Sequence, residues 1–137
     1  MIEAMPFKAE HFRMLEIQPR QAEEVTDEVL KAVEEFSYAR TYMENGKPIA
    51  IAGLFQETPW RAKAWAYLSP GMEKTMVPVF GGFRREILAT SYRRVEMDVD
   101  TDFEQGHRMA RLLGFTRECD RPHHGNGKTT TLYSLVR

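Results

Sequence analysis

The feature that most constrains the fold is a strand–helix–strand pattern in the last third of the chain. Apolar and charged residues alternate strictly from Arg94 to Asp100, with Val95, Met97 and Val99 on one side. This period of two predicts a strand with one buried face. A helix follows and ends at Gly114, a residue typical of the position just after a helix. The pattern predicts a mixed sheet with helices on its faces.

Local signals predict how the helices begin and end. Thr101 or Asp102 would cap the helix that ends at Gly114. Thr75 would cap the helix before the alternating strand, since Pro78 is tolerated only in a first turn and would cost about 3 kcal/mol deeper in the helix. We also expect Leu113 to be buried against the sheet.

The remaining elements complete a mixed sheet in one predicted domain, residues 1–137. Asn45-Gly46 predicts a two-residue hairpin turn, because both residues accept positive φ. Further helices are predicted over Ala9–Ile17, over Gln21–Phe36 with an apolar stripe of Val25, Val29, Val33 and Phe36, and from Thr75 to about residue 90. Further strands are predicted over Pro48–Phe55, Lys63–Ser69, Phe115–Arg121 and Thr129–Val136. We expect the strand at 63–69 to run parallel to the one at 94–100.

Composition excludes several classes of protein. The 137 residues include 19 basic and 20 acidic side chains, for a net charge of −1, which does not favour nucleic-acid binding through a broad basic face. The longest apolar stretch, Pro48–Phe55, is too short to span a bilayer. Cys119 is the single cysteine, which suits a reducing compartment, and we expect no signal peptide.

The charges are distributed unevenly along the chain. Acidic side chains concentrate in the helix predicted over residues 21–36, and basic ones concentrate after residue 105. The acidic residues of that helix are Glu23, Glu24, Asp27, Glu28, Glu34 and Glu35. Two interpretations stay open: solvated faces of opposite sign, or surfaces that contact other copies or partner proteins. In the second, Arg108 and Arg111 are the predicted partner-binding residues.

Two other motifs predict structure rather than chemistry. The stretch Gly125–Thr129 is similar to the end of a phosphate-binding loop, but Pro122 stands where a glycine is required and a strand follows instead of a helix. It predicts a glycine hairpin loop. His123 and His124 point apart on an extended chain and the sequence has no second Cys or His cluster, so no metal site is predicted.

Three carboxylates project from the outer face of the alternating strand: Glu96, Asp98 and Asp100. Carboxylates in a row repel and raise one another's pKa, which suits a general base. The alternative is pairing with Arg93, Arg94 or bases on neighbouring strands. Glu96 and Asp98 are therefore candidate catalytic residues.

The element order resembles the GNAT superfamily of N-acetyltransferases. The strand that ends at Asp100, the helix over 102–113 and the sequence Leu113-Gly114-Phe115 match its closing module. The resemblance implies a mixed, V-split central sheet with helices on both faces. Active members bind acetyl-CoA between the two splayed central strands.

The resemblance also implies a cofactor segment, from which this chain departs. The residues at the corresponding positions are Ser69, Lys74, Thr75, Met76 and Val77. Active members carry Arg/Gln-x-x-Gly-x-Gly/Ala here, whereas Glu73 takes the first position in this chain and Met76 and Pro78 replace the glycines. The tyrosine that protonates the leaving thiolate in many members is absent from its helix; Tyr67 and Tyr92 are the nearby phenols in sequence.

The absence of the two glycines and of the tyrosine resembles the GNAT-like domains of tailed bacteriophages, some of which are classed as internal virion proteins. The segment Phe103–Phe115 carries this resemblance. It implies a non-catalytic structural or assembly component of a phage particle, with no cofactor, located in the virion or the host cytoplasm. Its partners would be other particle proteins or further copies, with no nucleic acid or membrane. The alternative is an acetyl-CoA-dependent N-acetyltransferase with Glu96 or Asp98 as its base.

Overall fold

Two Asn-Gly turns join pairs of antiparallel strands in the computed structural model, which describes residues 2–15 and 26–137. Asn45 and Gly46 have φ of 52° and 76°, and Asn126 and Gly127 have φ of 49° and 80°. Positive φ at both central residues matches the right-handed twist of the flanking strands. The hairpin predicted at Asn45-Gly46 is confirmed.

Seven strands form one mixed sheet. In chain order they are β1 (Ile2–Pro6), β2 (Ser37–Glu44), β3 (Lys47–Thr58), β4 (Arg61–Leu68), β5 (Arg94–Asp100), β6 (Thr116–Gly125) and β7 (Lys128–Val136). The order across the sheet is β1-β2-β3-β4-β5-β7-β6. The strands β4 and β5 pair in parallel, with Arg61 opposite Arg94 and Lys63 opposite Glu96. The predicted mixed sheet and its parallel central pair are confirmed.

The described helices are α1 (Ala9–Met14), α2 (Asp27–Phe36), α3 (Met76–Ala89) and α4 (Glu104–Leu112). A 3-10 turn over Met72–Thr75 runs directly into α3. None of the described helices has both the length and the apolar character that crossing a membrane requires. The guanidinium of Arg137 donates to the carbonyl oxygens of Leu88, Thr90 and Tyr92 at 2.6–3.0 Å, so it binds backbone groups at and after the end of α3.

The contacts divide the chain into two compact units. Unit 1 comprises Met1–Phe55 and Trp65–Val79, and unit 2 comprises Gln56–Ala64 and Phe80–Arg137. A core cluster of unit 1 consists of Phe7, Leu15, Leu30 and Ile51, with Phe12, Val33, Ala39, Trp65 and Tyr67 packed against it. Fully buried side chains of unit 2 include Phe80, Phe83, Ile87, Val95 and Leu113.

The burial of β5 and the end of α4 follows the sequence prediction. Val95, Met97 and Val99 are 1–4% exposed, so the alternating strand presents one face to the core. Leu113 is fully buried, and Gly114 follows it with φ of 83°, the left-handed conformation of a residue just after a helix.

The predicted helix caps are wrong. Thr75 is the last residue of the 3-10 turn, and its hydroxyl donates to the carbonyl of Met72 at 2.9 Å instead of accepting a helix N–H. Phe103 is the N-cap of α4 and provides no side-chain hydrogen bond, so neither Thr101 nor Asp102 occupies that position. Pro78 does lie in the first turn of α3, as predicted.

Other boundaries also differ from the prediction. The first helix ends at Met14, and residues 16–25, which include Glu23, Glu24 and Val25, lie outside the described part of the chain. Among the α2 side chains that the structure describes, Leu30, which the predicted stripe omitted, is buried, and Val29 and Val33 are half-buried; the side chain of Phe36 lies outside that description. The strand β1 was not predicted at all.

The hairpin predicted at Gly125–Thr129 is confirmed, with its turn at Asn126-Gly127, but the strand before it is longer than predicted. The strand β6 extends to Gly125, so His123 and His124 belong to a strand. Its pairing with β7 shifts register between Arg117 and Cys119 and again between Arg121 and Gly125. The second irregularity includes His123 with φ of 55°.

Candidate functional site

The segment predicted to bind the cofactor lies in unit 1, between the end of β4 and the first turn of α3. Ser69 is buried, and its N–H donates to the carbonyl of Ile49 at 3.0 Å. Lys74 and Val77 are exposed, whereas the side chain of Met76 is fully buried. The five predicted residues therefore share one short segment but do not present one polar surface.

This segment does not fit the diphosphate of acetyl-CoA. A diphosphate at a helix N-terminus needs free N–H groups and close approach of the backbone. A 3-10 turn over Met72–Thr75 precedes α3, and Pro78 in the first turn of α3 has no N–H. Met76 occupies the core at a position where the resemblance requires glycine. The segment thus lacks one backbone donor and both glycines that the resemblance requires.

The carboxylates of β5 lie in unit 2, and bases hold two of them. Arg94 Nε lies 2.5 Å from Glu96 Oε2. Lys63 Nζ lies 2.6 Å from Asp98 Oδ2, and Arg121 donates to Asp98 Oδ1. The structure therefore contains the cross-strand pairing that the sequence left as an alternative to catalysis.

The environment of Asp98 keeps its carboxylate ionised. Burial alone raises the pKa of Asp98, whose side chain is 13% exposed, but hydrogen bonds from Lys63 and Arg121 and the charges of both outweigh it. The net pKa lies below the ordinary value of an aspartate. A general base near neutral pH benefits from a raised pKa, so this environment opposes that role.

Sequence reasoning missed a buried polar pair in unit 2. His107 Nε2 lies 2.8 Å from the carbonyl oxygen of Thr101, and His107 Nδ1 lies 2.6 Å from the Tyr133 hydroxyl. Because a carbonyl only accepts, Nε2 carries a proton, and in that tautomer Tyr133 donates to Nδ1. His107 lies four residues after Phe103 and three before Ala110, so the sequence could have predicted its position on the inner stripe of α4. The sequence could not have predicted Tyr133 on β7 as its partner.

The phenols considered from the sequence have structural contacts. Tyr67 packs against Phe12 and Trp65, each with ring centroids 5.6 Å apart. The Tyr92 hydroxyl donates to Gln56 Oε1 at 2.7 Å. Within residues 2–15 and 26–137, no three His, Cys, Asp or Glu side chains are grouped as a metal site requires.

The two predicted partner-binding residues lie on α4. Both Arg108 and Arg111 are exposed. Neither makes an ion pair with another described residue, which distinguishes them from the arginines that bind the β5 carboxylates.

Comparison with family models and with curated proteins finds no match. Solved structures do match over nearly the whole chain. Ard1 from Thermoplasma volcanium has a TM-score of 0.82 at 14% identity, covering 98% of this chain and 97% of its own. The GNAT-family acetyltransferase from Streptococcus pneumoniae has a TM-score of 0.75 at 9% identity, covering 99% of each. The structure of yncA from Salmonella typhimurium, with its cofactor acetyl-CoA, has a TM-score of 0.75 at 14% identity, covering 98% and 93%.

These identities are low, and the likeness therefore concerns the fold. The strand order, the parallel β4–β5 pair and the helices on either side of β5 in sequence agree with that likeness. The chain thus has the fold of the GNAT acetyltransferases.

Proposed function

We propose that this chain is a GNAT-fold protein without the usual acetyl-CoA site and that it is a non-catalytic structural or assembly component of a phage particle. The observation that carries the proposal is the segment from Ser69 to Pro78. Its proline lacks an N–H in the first turn of the helix, and the fully buried side chain of Met76 stands where the resemblance requires glycine.

The acid–base residues support the same proposal. Asp98 is held by two bases and has a lowered pKa, and Glu96 accepts a hydrogen bond from Arg94 at 2.5 Å. A carboxylate in such pairs stabilises the sheet, whereas deprotonating a substrate ammonium requires one that is free to take a proton.

The assembly role is supported by two further features. The segment Phe103–Phe115 resembles GNAT-like virion proteins of tailed phages, and α2 and α4 carry exposed charges of opposite sign that make no ion pair with another described residue. We therefore propose that the protein resides in the virion or the host cytoplasm, in contact with other particle proteins or further copies.

Calorimetric titration with acetyl-CoA tests the loss of the cofactor site. We expect no binding heat up to about 1 mM ligand, which corresponds to a binding free energy weaker than roughly −4 kcal/mol. Salmonella yncA, whose solved structure contains acetyl-CoA, is the positive control under the same conditions. Micromolar binding by this chain would overturn the proposal.

A gain-of-binding variant tests the physical reason. In Glu73→Arg/Met76→Gly/Pro78→Gly the turn regains a cation, two glycines and an N–H, so we expect measurable CoA binding. Because Met76 is fully buried, its removal also costs about 2–5 kcal/mol, so circular dichroism must confirm that the variant is folded. Glu73→Arg/Pro78→Gly keeps Met76 and provides a folded comparison. Absence of binding in both folded variants would show that the turn is not what excludes the cofactor.

An active acetyl-CoA-dependent N-acetyltransferase is the second candidate. The observation that favours it is the fold itself, which this chain shares with acetyltransferases over nearly its full length. Such an enzyme would hold the cofactor by contacts other than the α3 N-terminus. Release of free CoA from acetyl-CoA in the presence of a panel of amines, above the rate without protein, would establish this function instead.

A further inference from the structure

Four exposed arginines on α3 and α4 form a basic surface of unit 2, called here the arginine surface: Arg84, Arg85, Arg108 and Arg111. The Arg84 side chain reaches the end of α4, since its Nε lies 3.1 Å from the position that a Cβ on Gly114 would take. The Gly114 N–H in turn donates to the carbonyl of Arg111 at 3.0 Å. Arg85 follows Arg84, and Arg108 lies one helical turn before Arg111.

The arginine surface lacks partners within the described residues. None of its four side chains makes an ion pair or hydrogen bond with another described side chain or backbone group. Five other arginines of unit 2 do have such partners: Arg61 with Glu57, Arg94 with Glu96 and Glu118, Arg117 with Asp120, Arg121 with Asp98, and Arg137 with backbone carbonyls. Unit 2 contains 12 basic and 9 acidic side chains in all, so it has an excess of positive charge.

The helix α2 of unit 1 carries the opposite charge. Its exposed acidic residues, called here the acidic face, are Asp27, Glu28, Glu34 and Glu35. None of them makes an ion pair with a described residue. Unit 1 contains 7 basic and 11 acidic side chains, so its excess is negative.

The charges on each surface come in two pairs. The two acidic pairs of α2 lie seven residues apart, about 10 Å along the helix, which returns them to the same side of it. The arginine surface has one pair on α3 and one on α4. Leu88 on α3, 40% exposed and one turn after Arg84, adds apolar area.

We infer that the acidic face of one copy docks on the arginine surface of a second copy. This inference rests on the proposed assembly role and makes it more specific, because the partner is a second copy of the same chain. The contact joins two different surfaces, so every dimer retains one free surface of each sign. Further copies can therefore add to the dimer, until the assembly closes into a ring or continues as a filament. Exposed ion pairs are individually weak and are screened by salt, so the association is weak and sensitive to salt.

Sedimentation velocity with charge-reversed variants tests this contact. Variant A carries Arg108→Glu/Arg111→Glu, and variant B carries Glu34→Lys/Glu35→Lys. At about 0.05 M salt we expect concentration-dependent association of the wild type, lost at about 1 M, where the screening length falls to roughly 3 Å. Each variant alone should associate at least tenfold more weakly than the wild type.

Mixing the two variants gives the decisive result. Variant A retains its acidic face and variant B its arginine surface, and the reversed surfaces of the two variants are themselves opposite in sign, so an equal mixture should regain the association that neither variant shows alone. The control Lys47→Glu/Lys128→Glu changes the net charge as variant A does, at exposed positions beside the two Asn-Gly turns, and should associate like the wild type. A wild type that stays monomeric at low salt, a mixture that does not associate, or a control that fails like variant A would each overturn the inference.

The outcome is separable from that of the proposed function. A chain that self-associates in this way but binds acetyl-CoA keeps the contact and overturns the loss of the cofactor site. A chain that is monomeric and does not bind acetyl-CoA overturns the contact alone. Circular dichroism and thermal unfolding of both variants establish that they are folded before sedimentation is interpreted.

Discussion

Two glycines inside helices provide a matched test of how packing decides the effect of one methyl group. Gly81 lies in α3 and Gly106 lies in α4. Replacing either by alanine makes the same chemical change and gains roughly 0.5–1 kcal/mol from the helix preference of alanine over glycine. Whether the folded protein retains that gain depends on what the added Cβ meets.

The two positions differ in free space. At Gly81 the nearest atom to an added Cβ is Arg85 Nη1 at 3.9 Å, so Gly81→Ala should raise the free energy of unfolding by about 0.5–1 kcal/mol. At Gly106 the Cβ would lie 2.6 Å from Val99 Cγ1 and 3.0 Å from Phe103 Cδ2. Val99 is buried and stiff at χ1, so relief requires a backbone shift that costs roughly 1–3 kcal/mol. Gly106→Ala should therefore lower the free energy of unfolding by about 0.5–2 kcal/mol.

Urea unfolding of the wild type and both variants measures the difference. For a chain of this size, 1 kcal/mol corresponds to a shift of roughly 3–6 °C in Tm, so thermal unfolding should show shifts of opposite sign. The dependence of unfolding free energy on urea should not change, since both variants expose the same surface on unfolding. Shifts of the same sign for both substitutions would refute the reasoning.

Substitutions at five further positions have definite expected outcomes. Asp98→Asn should lower the free energy of unfolding at pH 7, and the difference from the wild type in urea unfolding should vanish in acid. Burial alone raises the pKa of Asp98, but its two basic partners lower that pKa overall. The stabilisation by the Asp98 carboxylate is therefore present above the ordinary aspartate pKa and is lost as pH falls through the lower pKa of the folded protein. A difference that persists in acid would contradict this. Leu113→Ala removes a fully buried side chain and should cost about 2–5 kcal/mol; a loss under about 0.5 kcal/mol would contradict its burial. Gly114→Ala forces an alanine to adopt φ of 83° and should lower the free energy of unfolding by about 1 kcal/mol, measured by thermal unfolding. Gly71→Ala should have the same effect through its φ of 78° alone, since no atom lies within 4 Å of the added Cβ. Arg137→Leu removes hydrogen bonds to three carbonyls and should cost about 1–2 kcal/mol, with a matching loss of helical circular dichroism, whereas Arg137→Lys should recover part of it.

The parts of the fold that sequence predicted are those set by local periodicity. The alternation of β5 fixes which face is buried because successive side chains on a strand point to opposite sides. Asn45-Gly46 sets a hairpin because two adjacent residues accept positive φ. The parallel pairing of β4 with β5 follows from the helix that separates them in sequence.

The parts that sequence missed depend on contacts between distant residues. Ile2–Pro6 has no alternating pattern and becomes a strand by pairing with β2, more than thirty residues later. The hydrogen bond between His107 and Tyr133 joins residues 26 positions apart, so it depends on how α4 lies against β7. The cap predicted at Thr75 failed because a 3-10 turn precedes α3 without a break.

The edge of the sheet at β6 has a consequence for how copies of this chain can meet. A strand with open N–H and C=O groups invites another strand to pair with it, and a flat, regular edge supports growth of fibres. Here the register breaks twice, at Arg117/Cys119 and at Arg121/Gly125, and Pro122 lacks an N–H within the second break. An incoming strand would meet no continuous ladder at this edge. Growth of fibres by strand addition at β6 is thus disfavoured, whatever the concentration of the chain.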